Sequence, residues 1–153
     1  MDTDTLAQTL ALIEKNDMAV LATTDGRGPH TSLMAYVSTD GGRTIYLASG
    51  AGSTKYRNLT ANPRVSLLVD TREAATCPES DAPRSAIQAL TIGGRAVALP
   101  REHFAEPERL FRAAHPHMRE FLDDPDTVYI AVRVSDLLLL NGVSDATFMR
   151  LDE

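Results

Sequence analysis

The chain has 153 residues, 43% of them hydrophobic and 24% charged, with a formal net charge of −6. This is one ordinary domain, long enough to bury a core without covalent staples. An acidic surface with no dense basic cluster argues against nucleic acid as a partner, because phosphate-backbone contacts dominate such affinity.

The opening "MDTDTLAQTLALIEKND" is acidic and then amphipathic, unlike a secretory signal. Leu6, Leu10 and Ile13 recur at helical spacing and predict a short surface helix over residues 5–15. No apolar run approaches the roughly 18 residues needed to span a bilayer, so no membrane and a cytoplasmic address are expected. Three β runs follow: residues 18–24, 30–39 and 43–49. "DGRGP" and "DGG" lie between them, and Asp-Gly is a strong hairpin signal. A helix is predicted from Ser53 to Ala61, ended by Pro63, and then a fourth strand, "RVSLLVD". Residues 73–84, with two prolines and the single Cys77, read as an exposed loop, and a lone cysteine forms no internal disulfide or thiol metal site.

A long strand over 85–99 carries Gly93-Gly94 as a bulge or bend. A helix is predicted from Pro107 to His115, a second helical piece in "HMREFL", and final β runs in "TVYIAVRVSDLLLL" and "ATFMRL". Six or seven antiparallel strands joined largely by turns predict a mainly β (α+β) fold: an antiparallel β-barrel with peripheral helices. "DLLLL" is apolar on both strand faces and needs two coverings, from a partner subunit or from the N-terminal helix.

Lysine is scarce; Lys15 and Lys55 are the only two. Lys55 stands behind Ser49, Ser53 and Thr54 at the mouth of a helix, where glycines let the backbone approach and free N–H groups carry the positive end of the dipole. Such a cup suits a phosphate monoester. Equally, Ser53 or Thr54 caps the helix and Lys55 is solvated. His30, His103, His115 and His117 lack the companions a metal site requires, so no metal is expected. Tyr36, Tyr46, Tyr56 and Tyr129 suit strand packing as readily as stacking on a ring, and no acid–base pair or nucleophile triad stands out.

The stretch "LATTDGRGPHTSLMAYVSTDGGRTIYLAS…STKYRNLTANPRVSLLVD", with the later "LTIGGRAV", resembles the pyridoxamine 5′-phosphate oxidase-like, FMN-binding split-barrel family. The "AAHPHM" and "LNGVSDATF" segments are similar to its haem-utilisation branch, without the Gly-Phe-Gly segment common there. The resemblance implies a split barrel, and a homodimer with FMN in clefts between subunits. Lys55 would take the FMN phosphate with Ser53 and Thr54, with Ala48 and Ser49 beside it. Residues Thr31, Ser32, Leu33, Met34 and Tyr36 of the second strand would run along the flavin, Leu33 and Met34 offering backbone groups. Strand alternation puts Thr31, Leu33 and Ala35 on one face and Ser32, Met34 and Tyr36 on the other, and only one set can line a side-chain pocket.

Departures narrow the function. Thr31 and Tyr36 stand where pyridoxamine-phosphate oxidases carry arginine and lysine, and Ala89 stands for a family glutamine, with Gln88 on the opposite face. A vitamin-making oxidase is therefore not expected. An FMN-dependent oxidoreductase acting on a small molecule is, its chemistry carried by the flavin. The alternatives are a non-catalytic protein handling flavin, deazaflavin coenzyme or haem, and a barrel that has lost its ligand.

Overall fold

A computed structural model describes residues 3–71 and 88–151. The predicted loop at 73–84, with Cys77, lies outside the described residues, as does the start of the predicted fifth strand at 85–87. Helix α1 (Thr3–Lys15) leads into β1 (Met18–Thr24), β2 (Pro29–Thr39) and β3 (Thr44–Gly50). Helix α2 (Thr54–Ala61), β4 (Arg64–Asp70) and β5 (Gln88–Ala98) come next. Helices α3 (Ala105–Ala114) and α4 (Arg119–Asp123) flank a 3₁₀ turn at Pro116–Met118, and β6 (Thr127–Asn141) and β7 (Asp145–Arg150) end the order. No helix among the described residues is long and apolar enough to cross a membrane.

Turn chemistry sets the hairpins. In the first, the Asp25 carboxylate accepts from the N–H groups of Arg27 at 2.8 Å and Gly28 at 3.3 Å, and these bonds hold its carboxyl below the usual range. In the second, Asp40, Gly41 and Gly42 all take positive φ, at 55°, 61° and 83°. Gly42 also packs under α1, where an added Cβ would lie 2.7 Å from the Leu10 carbonyl oxygen.

The strands form one antiparallel sheet in the order β3-β2-β1-β4-β5-β6-β7, closed by a β3–β6 pairing into a six-stranded barrel that β7 extends. Strand β6 makes this possible by its length. Thr127–Arg133 pairs with β3, Asp136–Asn141 gives the same edge to β7, and β5 runs along the other edge. The handover falls at the bulge expected from the glycine pair: Gly93 opposes Asp136, Gly94 opposes Val134, and Ser135 is the extra residue. The fold is the predicted antiparallel split barrel with peripheral helices.

Leu21, Ile45, Leu47, Leu67, Ile92 and Ile130 fill the interior, and α1 closes its end with Leu10 and Ile13. Tyr36 points into this core, and its hydroxyl donates to the Ile13 carbonyl at 2.7 Å. A second cluster lies on the barrel's outside, where Val37, Ala48 and Tyr129 pack with Phe111 of α3 and Leu122 of α4. In "DLLLL", Leu137 and Leu139 join the α1 side chains in the interior, while Leu140 on the other face is exposed. The N-terminal helix thus supplies one of the two coverings.

Two substitutions test this packing. Gly42→Ala combines positive φ with a backbone clash and should destabilise by about 1–3 kcal/mol in denaturant unfolding. The Tyr129 hydroxyl is buried with no hydrogen-bond partner among the described residues and is pushed up to about 12, by burial first and the Glu108 charge second. Tyr129→Phe should stabilise by about 1 kcal/mol. Because the folded pKa is raised, the difference between the wild type and the Tyr129→Phe variant is set by packing below pH 10. Above it the wild type additionally loses stability as pH rises toward 12; parallel pH profiles would contradict this.

Candidate functional site

The β2–β3 ladder is short. It joins Tyr36–Thr39 to Thr44–Leu47 and then stops. Beyond that point β2 keeps its β1 partner, β3 keeps β6 as far as Gly50, and the two strands part. A cavity of about 210 Å³ occupies the fork. Leu33, Met34 and Ala35 of β2 form one wall, and Ala48, Ser49 and Gly50 of β3 the other. Among the described residues the β2 edge facing this gap has no ladder partner, which leaves alternate backbone N–H and C=O groups available to a ligand.

The strand–helix junction sits at the head of the fork. The Ser53 hydroxyl caps α2 by accepting from the Tyr56 N–H at 3.2 Å, and lies 2.8 Å from the Ser49 hydroxyl. The capping reading of Ser53 therefore holds. It satisfies one first-turn donor and leaves the N–H groups of Thr54 and Lys55. Lys55 lines the cavity and has no ion-pair partner among the described residues. Helix α2 is anchored by Leu59, 1% exposed in the core, and by Asn58, whose amide donates to the Thr23 hydroxyl at 3.2 Å.

Of the predicted site residues, Leu33, Met34, Ala48, Ser49 and Lys55 meet around this one space. Ser53 and Thr54 stand at the adjoining helix start without lining it. Thr31 and Ser32 lie further out on β2, the Ser32 hydroxyl 3.4 Å from His30 Nε2. Tyr36 does not join them. Its side chain is inside the barrel, its N–H donates to the Asp17 carbonyl at 2.8 Å, and its carbonyl is 2.9 Å from His115 Nε2. With every polar group engaged, Tyr36 is a structural residue.

Three neighbours escaped sequence reasoning. Met118 and Phe121 line the cavity from the 3₁₀ turn and α4, and Phe121 is 40% exposed. Arg57, one turn into α2, reaches to 3.5 Å from the Thr54 hydroxyl and adds a second cation near the helix start. An apolar residue on the outer side of "HMREFL" was a weak signal for Phe121; its tertiary neighbour was unreadable. A larger cleft of about 560 Å³ between α1 and the ends of β5–β7 has Lys15 as its one cation among the described residues, and Gln88 and Asn141 there bond each other at 2.7 Å. Among the described residues no group of three or more His, Cys, Asp or Glu side chains could hold a metal.

The sequence pattern of the family described as pyridoxamine 5′-phosphate oxidase matches residues 6–140. A Schizosaccharomyces pombe protein named as a pyridoxamine 5′-phosphate oxidase homolog is 31% identical over 116 residues, covering 62% of this chain and 60% of that protein. The match thus spans less than two thirds of that relative. Among solved structures, a heme binding protein from Mycobacterium smegmatis superposes with a TM-score of 0.74 at 22% identity, over 94% of this chain and 57% of that one. A FAD-binding protein from Mesorhizobium loti does so with a TM-score of 0.68 at 19% identity, over 86% and 92%. The split barrel is thus shared by flavin and haem binders, and with nine-tenths of its length inside the family pattern the chain belongs to the pyridoxamine 5′-phosphate oxidase family.

Proposed function

We propose that the chain binds FMN in the β2–β3 fork, as a homodimer, and serves as an FMN-dependent oxidoreductase acting on a small molecule. The observation that carries this reading is the convergence of Lys55 and the α2 start, which suit a phosphate, with an apolar cleft whose β2 backbone edge is open. The phosphate would rest on Lys55, on the N–H groups of Thr54 and Lys55, and on the Thr54 hydroxyl. The ring would lie between Leu33–Ala35 and Phe121. Bound there, the flavin would supply hydride or single-electron transfer; the chain's own residues bind it, orient it and exclude water.

One subunit alone offers too little. A volume of about 210 Å³ is below the roughly 300–1,000 Å³ of ordinary small-molecule pockets. The missing wall has a source on the outer face of the sheet. Leu33, Val20, Leu68, Thr91, Leu138 and Phe148 are successive cross-strand partners over six strands. Within this row Leu33 is 71% exposed, Phe148 59% and Leu68 40%. A contiguous exposed apolar band of this kind marks an interface. It begins at the cavity itself, so a second copy seated on it would also close the cleft, in the isologous manner of most dimers.

Haem is the second reading, since Met118 in the cavity wall could be an axial ligand; His115, by contrast, is engaged with the Tyr36 carbonyl. A visible spectrum separates a two-banded flavin from a Soret-banded haem protein. Bleaching of bound flavin by a nicotinamide donor then separates enzyme from carrier.

Lys55→Ala should weaken FMN binding by about 1.5–3 kcal/mol, the worth of a charge-assisted contact, in a fluorescence titration; unchanged affinity rejects the phosphate assignment. Phe148→Asp should shift sedimentation from dimer to monomer and lower FMN affinity with it. A dimer that survives both Phe148→Asp and Leu68→Asp forms through another face.

A further inference from the structure

Arg64 of β4, Arg95 of β5 and Arg133 of β6 are direct cross-strand partners, Arg64 with Arg95 and Arg95 with Arg133. All three are exposed on the outer face of the barrel. None has an ion-pair or hydrogen-bond partner for its side chain among the described residues. They share a cavity of about 520 Å³ with Ser135 and Leu151, at the β-bulge and remote from the fork that holds Lys55. The nearest carboxylate in register, Asp136, belongs to the next row, where it opposes Gly93 and accepts from the Ser135 hydroxyl at 2.8 Å.

Like charges directly opposite one another destabilise a sheet. The chain has 21 acidic residues against 15 basic ones, yet among the described residues no carboxylate pairs with this row. Opposed side chains start about 5 Å apart, so three guanidinium forks cover a line of about 10 Å. That length suits two linked phosphates better than one. Guanidinium also binds phosphate through paired N–H···O bonds that an ammonium cannot reproduce.

We infer that Arg64, Arg95 and Arg133 form a second anion site, specific for a small diphosphate-bearing molecule and independent of the Lys55 pocket. The anion holds the row together in the bound state, and the row is self-repelling without it.

Calorimetric titration of the full chain with inorganic pyrophosphate, at low and at physiological salt, tests this. Wild type and Lys55→Ala should bind pyrophosphate alike and more tightly than orthophosphate or citrate. Arg95→Gln should lose at least tenfold in affinity, and pyrophosphate should raise the Tm of the wild type progressively with concentration. In the absence of ligand, Arg95→Gln should leave the Tm unchanged or raise it, because a repulsion has been removed. The proposal is overturned if pyrophosphate does not bind, if binding disappears with Lys55→Ala, or if citrate binds as tightly as pyrophosphate. Loss of Tm in unliganded Arg95→Gln also overturns it, since the row would then be a paired structural element. RNA binding in place of pyrophosphate binding would overturn it too, identifying a polymer surface instead.

Discussion

Closure of the sheet through the β3–β6 pairing is the constraint on which the rest depends. Thr44–Gly50 lies antiparallel to Thr127–Arg133, so the end of β3 meets the start of β6. The Ala51 N–H donates to the Asp126 carbonyl at 2.9 Å and fixes the two connections side by side. One of those connections leads into α2 with Lys55; the other comes from α4 with Phe121. Neither wall of the cavity would face the other without that register. The register is in turn held by burial: Ile45 and Leu47 are fully enclosed, and a slip of one residue would turn both to the outside. Closure also pairs most of the sheet edge that would invite association, leaving the fork between β2 and β3 and the outer edge of β7 without a ladder partner among the described residues.

Strand β2 shows how one segment serves core and site together. Its inward residues Met34 and Tyr36 are buried, while Leu33 and Ala35 face outward, toward the fork and the helices. The alternation was legible in the sequence, and so was the requirement that only one face could line a side-chain pocket. What could not be read was which face belonged to the core. Tyr36 settles that through its hydroxyl bond to Ile13 in α1, a partner 23 positions away. The place where family oxidases carry a lysine has become an anchor for the helix that closes the barrel. Turns, the succession of strands along the chain, the Gly93-Gly94 bulge and the α2 start were legible because each rests on local chemistry. Met118, Phe121 and the arginine row were not, because only sheet closure and cross-strand register bring them into place.

The outer surface divides along the same register. Four residues further along β4 and β5 from Leu68 and Thr91, in opposite chain directions, the apolar row gives way to Arg64 and Arg95. Charged residues on strands often protect exposed edges, but here that explanation can serve for Arg64 alone. Arg95 is paired on both sides, by Arg64 and Arg133, and Arg133 by Arg95 and Thr44. Arg64 borders an open edge, since the β1–β4 ladder stops at Ser66, but Arg95 and Arg133 lie inside the sheet. A repulsive row retained in mid-sheet is better accounted for by what it attracts.

The cavity's lining sets the limits of its chemistry. Its strand walls are Leu33, Met34 and Ala35 on one side and Ala48, Ser49 and Gly50 on the other, with Lys55, Met118 and Phe121 completing the lining. None of these is a carboxylate, an imidazole, a phenol or a thiol, so the described chain places no side chain there suited to general acid or base work near neutral pH. Lys55, at the α2 end of the fork, is the one charged group in this lining and suits an anion there. Rate acceleration by this chain would then come from position and from dry, apolar walls, which strengthen whatever electrostatic contacts the backbone provides. In the proposed reaction, a proton would arrive from outside this lining, from solvent or from the face that closes the fork. In the proposed dimer, the surface seated on the Leu33–Phe148 row would therefore have a chemical part to play as well as a structural one.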